Sequence, residues 1–406
     1  MPNSNSSTQP VDQAAIEAVR RGLESLRRRL LDLTNRNRLI SFRHGRTSLR
    51  IVNVDLETLY KSLLDERTIP FMPVPEPPDE QFELLAEKPS AKDYAEEIGW
   101  NTDYERTLGE GQSDCLPVIH YQDDFEIIIR KIGTSARTAL EESGTNILHL
   151  IFGFLEWRES DDSSLIRQSP LLAIPVTIIT PKSKDTDRSI RLQYTGEDLT
   201  ANLSLIEKMR RDFGLVIPDI EEGESPEEYF QRFSSIIALK RHWRICRHVS
   251  LALLSFGKLL MYLDLDPERW PSQAPLERHP RLLDLFSGTA PQGLSIAPEY
   301  DIDEEADKGD VPPLVNDADS SQHSALIDAI RGKNLVIEGP PGTGKSQTIT
   351  NLIAASIAAG KRVLFVAEKM AALGVVKRRL DACGLGEFCL ELHSHKTSKV
   401  SLLRSL

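Results

Sequence analysis

Apolar residues at Ile16, Val19, Leu23, Leu26, Leu30 and Leu33 recur every three or four positions, which predicts a long amphipathic helix. It is expected to fade at Asn35-Arg36-Asn37, with Leu39 to Phe42 continuing as an extended segment. Asp55 is placed to cap a shorter helix through Leu64. Pro70, Pro73, Pro75, Pro77 and Pro78 then read as a connector without regular structure, and Glu80 to Gln122 is acidic and weakly periodic. Phe125 to Glu142 reads as a helix with Ile127, Ile128, Ile132, Ala136 and Leu140 broadly on one side. The apolar runs Ile147–Trp157 and Pro170–Ile179, joined by a polar turn, read as an antiparallel pair. Pro175 points to an edge or a bulge there, and Ser189–Tyr194 alternates as a third strand. Ser225-Pro226-Glu227-Glu228 has the form of a capping box opening a helix that carries Phe230, Phe233, Ile236 and Ile237. Trp243–Leu254 fits a strand or a helix. Gly257–Tyr262 reads as helical, and Pro267, Pro271, Pro275 and Pro280 mark a loop-rich stretch.

Beyond the acidic, proline-containing segment Ala297–Pro313 the period changes. A helix over Gln322–Ile330 is followed by a buried strand at Leu335–Glu338, a helix over Ser346–Ala359 with Gly360 as its C-cap, and a second strand at Val363–Ala367. A helix over Ala371–Cys383 and a third strand at Phe388–Leu392 complete the pattern. This alternation predicts an α/β fold, the start of a doubly wound parallel sheet. The region before it reads as α+β. The domain plan is therefore a disordered lead over 1–13, an α+β domain over 14–296, an acidic linker over 297–313 and a partial motor domain over 314–406.

The formal net charge of −12 argues against a uniformly basic nucleic-acid coat but leaves room for a local groove. Arginine is concentrated between Ile16 and Ile51, opposed there by only Glu17, Glu24 and Asp32. That basic face has the chemistry to touch phosphate, or simply to pair with the acidic body of the protein. The cysteines Cys115, Cys246, Cys383 and Cys389 are scattered without a C-x-x-C pair, which indicates neither a disulfide framework nor a zinc site and fits a reducing cytoplasm. No stretch is long and apolar enough for a membrane span, so no membrane partner is expected. His149, inside an apolar run, reads as a core histidine.

The candidate chemistry lies at Gly339-Pro340-Pro341-Gly342-Thr343-Gly344-Lys345-Ser346, the G-x-x-x-x-G-K-S phosphate-binding loop between a strand and a helix. Its glycines let successive N–H groups point at an anion, and the following helix adds its dipole. Lys345 is expected to reach the β- and γ-phosphates, and the Ser346 hydroxyl to ligate Mg²⁺. With Gln347 at the helix start, these residues form the expected ATP site.

Asp319-Ser320-Ser321-Gln322, the proline-rich loop, and Val363 to Leu373 together resemble the Q motif, motif I and motif Ia of superfamily 1 helicases of the Upf1/Dna2 type. The resemblance implies that Gln322 hydrogen-bonds the adenine edge. It also implies that Glu368 and Lys369 lie where the family contacts single-stranded DNA or RNA, although the family more often has a small or hydroxyl residue at Glu368. Upstream, Leu30 to Leu39, Gly153 to Trp157 with Pro170-Leu171, and Phe256-Gly257-Lys258 with Met261-Tyr262 are similar to the DUF4011 domain. That domain precedes helicase cores in large bacterial proteins, some carrying a Vsr-like endonuclease and linked to defence against foreign DNA.

Hydrolysis in such helicases needs an Asp-Glu strand end to hold Mg²⁺ and arginines for the developing charge. Neither follows Lys345, where Asp381 and Glu387 are the wrong type of neighbour, and the later motifs are missing before Leu406. The expectation is an ATP-binding, N-terminal part of a longer helicase, with helicase or nuclease domains downstream. Two alternatives stand beside it: a nucleotide-gated binding module without catalysis, and an AAA+-type ATPase. The second is disfavoured because Ser394–Leu406, where that family places its acidic motif, is polar and basic.

Overall fold

The structure, a computed structural model, describes residues 13–78, 88–102, 114–181, 189–197, 199–221, 223–286, 299–301 and 312–392. It divides into two units: Met1–Ala139 with Thr145–His279, and Leu140–Gly144 with Pro280–Leu406. Residues 1–12 of the expected lead, 302–311 of the expected linker and the Ser394–Leu406 window lie outside the described residues.

The first unit is built on β1 (Ser48–Ile51), β2 (Ile69–Val74), β3 (Leu116–Tyr121), β4 (Leu148–Trp157), β5 (Arg167–Ile179), β6 (Arg191–Tyr194), β7 (Thr200–Ala201) and β8 (Arg244–Leu253). They pair in the order β4-β8-β1-β3-β2-β6-β5-β7, and β4 also pairs with β5. That last pairing closes seven strands into a ring, leaving β7 attached to β5 alone. The expected α+β domain is thus met only in mixing helix and strand, because the sheet closes on itself as a barrel. Closure pairs both edges of every strand in the ring. The expected β4–β5 pair is present with Leu150 opposite Ile174, and Trp243–Leu254 resolves to strand β8, with Leu251 opposite Leu150 on the other side of β4.

Proline placement accounts for two differences from the sequence reading. Pro70 and Pro73 lie inside β2, where no regular structure was expected. Phe71 N donates to Ile190 O at 2.9 Å, and the β2–β3 register shifts between Pro73 and Val74, so the ladder passes around the missing donors. Pro175 lies mid-strand rather than at an edge, yet it falls between the β7 pairings at Leu172 and Ala173 and the β6 pairings from Val176 onward. Its carbonyl accepts from Thr195 N at 3.2 Å on that side.

Five of the seven helices among the described residues of this unit were expected from the periodicity; Ala91–Glu97 and Leu203–Phe213 were not, and Ile127, placed on the apolar side of its helix, is exposed. They are α1 (Gln13–Leu30), α2 (Leu56–Leu64), α3 (Ala91–Glu97), α4 (Gln122–Ser143), α5 (Leu203–Phe213), α6 (Pro226–Ile237) and α7 (Gly257–Asp264). Asp55 caps α2 through Thr58 N at 2.8 Å, and Ser225 and Glu228 complete the capping box on α6. Helix α1 stops before Leu33, and Leu39–Phe42 is a turn instead of an extended segment. Asn37 is the cause: its amide donates to Asp32 O, its Oδ1 accepts from Leu39 N, and its carbonyl accepts from Ile40 N and Ser41 N.

The main core joins Phe152, Leu155 and Trp157 of β4 with Phe125 of α4, Met209 of α5 and Phe230 of α6. Trp157 Nε1 donates to Ser169 Oγ at 2.8 Å, and Ser169 Oγ donates to Ile40 O at 2.6 Å, so the buried indole and hydroxyl are both satisfied. At Gly153 the chain turns through φ +73° and the β4–β8 register shifts, which lets the Phe230 ring lie directly on the strand backbone. A Cβ there would sit 2.3 Å from Phe230 Cζ.

The second unit contains α8 (Pro280–Phe286), α9 (Ser320–Ile330), α10 (Lys345–Ala358) and α11 (Met370–Ala382). The expected parallel sheet is not formed among its described residues: Leu335–Glu338, Val363–Ala367 and Phe388–Leu392 run without ladder hydrogen bonds. Val336, Leu364 and Val366 are 86%, 82% and 75% exposed. A strand in a parallel sheet is stabilised by neighbours on both edges and cover on both faces. Here α10 packs against α11 through Ile353, Val376 and Leu380, with Phe365 the one residue of Val363–Ala367 that packs against this cluster.

Candidate nucleotide site

The glycine-rich segment precedes α10, whose first residue is Lys345 and whose N-cap is Gly344. Gly342 and Gly344 take φ +91° and +80°, a region an L side chain rarely enters. At Gly344 a Cβ would also meet Gln322 Nε2 at 2.6 Å, so the Gln322 amide would have to move. Pro340 O accepts from Thr343 Oγ1 at 2.9 Å, and Gly344 O accepts from Gln347 N at 2.8 Å and Thr348 N at 3.0 Å. The amides of Gly342, Gly344, Lys345 and Ser346 donate to no backbone carbonyl among the described residues. The Ser346 hydroxyl likewise has no described partner. Lys345 Nζ folds onto the loop, donating to Pro340 O at 2.9 Å and to Gly339 O. Unengaged donors at a helix start, with an ammonium beside them, form a cradle for an anion.

Gln322 stands against this loop. Asp319 caps α9 by accepting from Gln322 N at 2.8 Å, and Asp319 N donates back to Gln322 Oε1 at 3.3 Å. The Gln322 Nε2 then donates to Thr343 O at 3.0 Å. One side chain therefore completes a helix cap and braces the glycine-rich loop. Hydrogen bonds from the Gln322 amide and from Ser321 hold the Asp319 carboxyl below its usual range. The structure brings Gln322 to Gly339–Gln347 as a group. Glu368 and Lys369 are placed separately, both exposed at the start of α11, where Lys369 is the N-cap residue.

Two supports were not read from the sequence. Asn351 is wholly buried on α10; its Oδ1 accepts from Val315 N at 3.1 Å and Asn316 N at 2.9 Å, and its Nδ2 donates to Asn316 O at 2.9 Å. Asn351 falls on the side of the helix away from Ile349, Ile353 and Ile357, so the helical period gave no signal of its burial. The buried carboxylate of Asp328 accepts from Tyr300 Oη at 2.6 Å and pairs with Lys333 Nζ at 2.6 Å. Burial alone would raise its pKa, but the Lys333 and Tyr300 contacts outweigh burial and hold it low. His149 is buried on β4 against Phe256, and burial lowers its pKa to about 4. Among the described residues no group of His, Cys, Asp or Glu is placed to hold a metal ion, and no helix is long and apolar enough to cross a membrane.

Comparison with known proteins agrees with this division of chemistry. Residues 29–209 match the family described as "Protein of unknown function (DUF4011)", and residues 317–404 match a family described as "AAA domain". A 69-residue stretch is 49% identical to an uncharacterized ATP-dependent helicase of Mycoplasma genitalium. A stretch of 69 residues is 48% identical to its homolog in Mycoplasma pneumoniae. In each case the match covers 17% of this chain and only 6% of the relative. No solved structure matches. The chain thus joins a DUF4011 domain over residues 29–209 to an AAA domain of the superfamily 1 helicase type over residues 317–404.

Proposed function

We propose that Gly339–Ser346 binds the phosphates of ATP as part of the first motor domain of a superfamily 1-type helicase. The observation that carries this reading is the run of unengaged amides over Gly342, Gly344, Lys345 and Ser346 at the start of α10. Phosphate oxygens replace the carbonyls of Gly339 and Pro340 as acceptors for Lys345. The Ser346 hydroxyl, which has no described partner, would be the group that holds Mg²⁺, and the ion would supply charge neutralisation at the phosphates. Gln322 reads the adenine edge from a position already tied to Thr343 O, which links the base to the loop. Exposed Glu368 and Lys369 contact single-stranded DNA or RNA. Asp381 is taken up by Lys377, so we assign this stretch to nucleotide binding.

The test is a titration of a fluorescent ATP analogue into the full chain with Mg²⁺, competed by unlabelled ATP and by inorganic triphosphate. Both competitors are expected to displace the probe. Displacement by adenosine but not by triphosphate would contradict a site built on phosphate contacts.

A further inference from the structure

The arginine-rich N-terminal stretch separates, in the structure, into two groups with different fates. On α1, Arg20 pairs with Glu277 at 2.6 Å, Arg27 with Asp266 at 2.6 Å, and Arg28 with Glu24 at 3.3 Å. Much of that helix's charge is therefore spent inside its own unit, although Arg21 and Arg29 have no partner among the described residues. The loop that follows differs. Arg36, Arg43 and Arg46 are exposed, and their guanidiniums have no ion-pair or hydrogen-bond partner among the described residues, the backbone N of Arg36 alone donating to Thr34 Oγ1 at 3.4 Å.

This loop is held firmly from beneath. The buried Asn202 donates to Leu39 O at 2.6 Å, Ser169 donates to Ile40 O at 2.6 Å, and Phe42 N donates to Gln168 O at 2.6 Å. Arg38 turns inward, its guanidinium 5.0 Å above the Phe42 ring and donating to Leu253 O at 3.2 Å. His44 packs edge-on to Phe42 at 5.0 Å, and both its ring nitrogens are buried with no hydrogen-bond partner. Burial, then Arg50, His248 and Arg38, push its pKa down to about 3. Arg38 and Arg50 thus lie close enough to act on that ring, which adds positive charge to this part of the unit. The nearby carboxylates are engaged: Asp32 accepts from Thr34 N at 2.9 Å, and Glu159 is held by Arg167 and Asn35.

We propose that the loop from Arg36 to Arg46 in the DUF4011 domain is a second nucleic-acid contact, one that binds the phosphodiester backbone of a single strand. Three exposed guanidiniums on a braced loop present paired donors that suit phosphate oxygens at low ordering cost. An anionic membrane is a poorer fit: no large apolar residue of the loop is exposed to insert into lipid. This surface does not depend on the ATP reading and is tested without nucleotide.

The experiment measures anisotropy of labelled oligo-dT and oligo-rU of about 20 nucleotides with the full chain, across a salt series. The triple variant Arg36→Ala, Arg43→Ala, Arg46→Ala is expected to lose about tenfold or more in affinity, with the salt slope shallower by about 2. A charge-matched control on α4, Arg130→Ala, Lys131→Ala, Arg137→Ala, is expected to bind as the unmodified chain does. Thermal melts should coincide, because the guanidiniums removed are exposed and without described partners. The proposal fails if the unmodified chain does not bind either strand, if the triple variant binds with unchanged affinity and slope, if the control loses as much, or if only phosphatidylserine vesicles are bound.

Discussion

Lys345→Ala is expected to weaken ATP binding roughly 30- to 150-fold without lowering the melting temperature. The magnitude follows from one charge-assisted contact to phosphate, about 2–3 kcal/mol. The side chain is exposed, and its only described contacts are the carbonyls of Gly339 and Pro340, so its loss leaves no buried group unsatisfied. The remaining amides of Gly342, Gly344 and Ser346 keep a residual anion site, so binding should be weakened rather than abolished. Lys345→Met, which retains the apolar stem, should fall as far as Lys345→Ala. Calorimetric titration with Mg-ATP reads both variants. An affinity within threefold of the unmodified chain would place the nucleotide elsewhere.

Gly153→Ala is expected to be among the most damaging single substitutions in the first unit, costing about 3 kcal/mol or more. Two effects add. The backbone at φ +73° disfavours any L side chain by about 1–2 kcal/mol. The new methyl would meet the fully buried Phe230 ring at 2.3 Å, and overpacking a closed core costs about 1–3 kcal/mol more. Against a typical stability of about 5–15 kcal/mol this is a large fraction. Denaturant unfolding of the first unit reports the loss. A double-mutant cycle with Phe230→Leu separates the causes: the leucine should cost at least about 1 kcal/mol less in the alanine background than alone. A cycle that sums to zero would mean that Phe230 is not what Gly153 accommodates.

The legible parts of the chain are those whose physics is local. The glycine-rich loop is marked by glycine spacing and by the residues that flank it, and the capping box at Ser225 and Glu228 lies within one helical turn. The strands β4 and β5 announced themselves as long apolar runs. What stayed hidden depends on distant partners. Ring closure rests on β2 pairing with β3 and β6, and its prolines concealed that strand because their tolerance is decided by where the neighbouring ladder needs a donor. The segments at Leu335, Val363 and Phe388 have the composition of buried strands, yet strand structure needs lateral hydrogen bonds that composition cannot supply. The resemblance marks Gln322 as a base contact, whereas its bracing of Thr343 O depends on the fold bringing α9 to the loop, which local sequence does not encode. Asn37 similarly redirected the chain after α1 through side-chain bonds to its own neighbours.

The central claim is that the amides at the start of α10 are the phosphate site. Hydrogen–deuterium exchange of the full chain, with and without Mg-ATP, tests it most directly, because those N–H groups have no backbone acceptor of their own among the described residues. The account predicts slowed exchange over Gly342–Ser346 on adding nucleotide, with the effect lost in Lys345→Ala at the same concentration. Unchanged exchange across this loop, with protection appearing in another part of the chain, would contradict it.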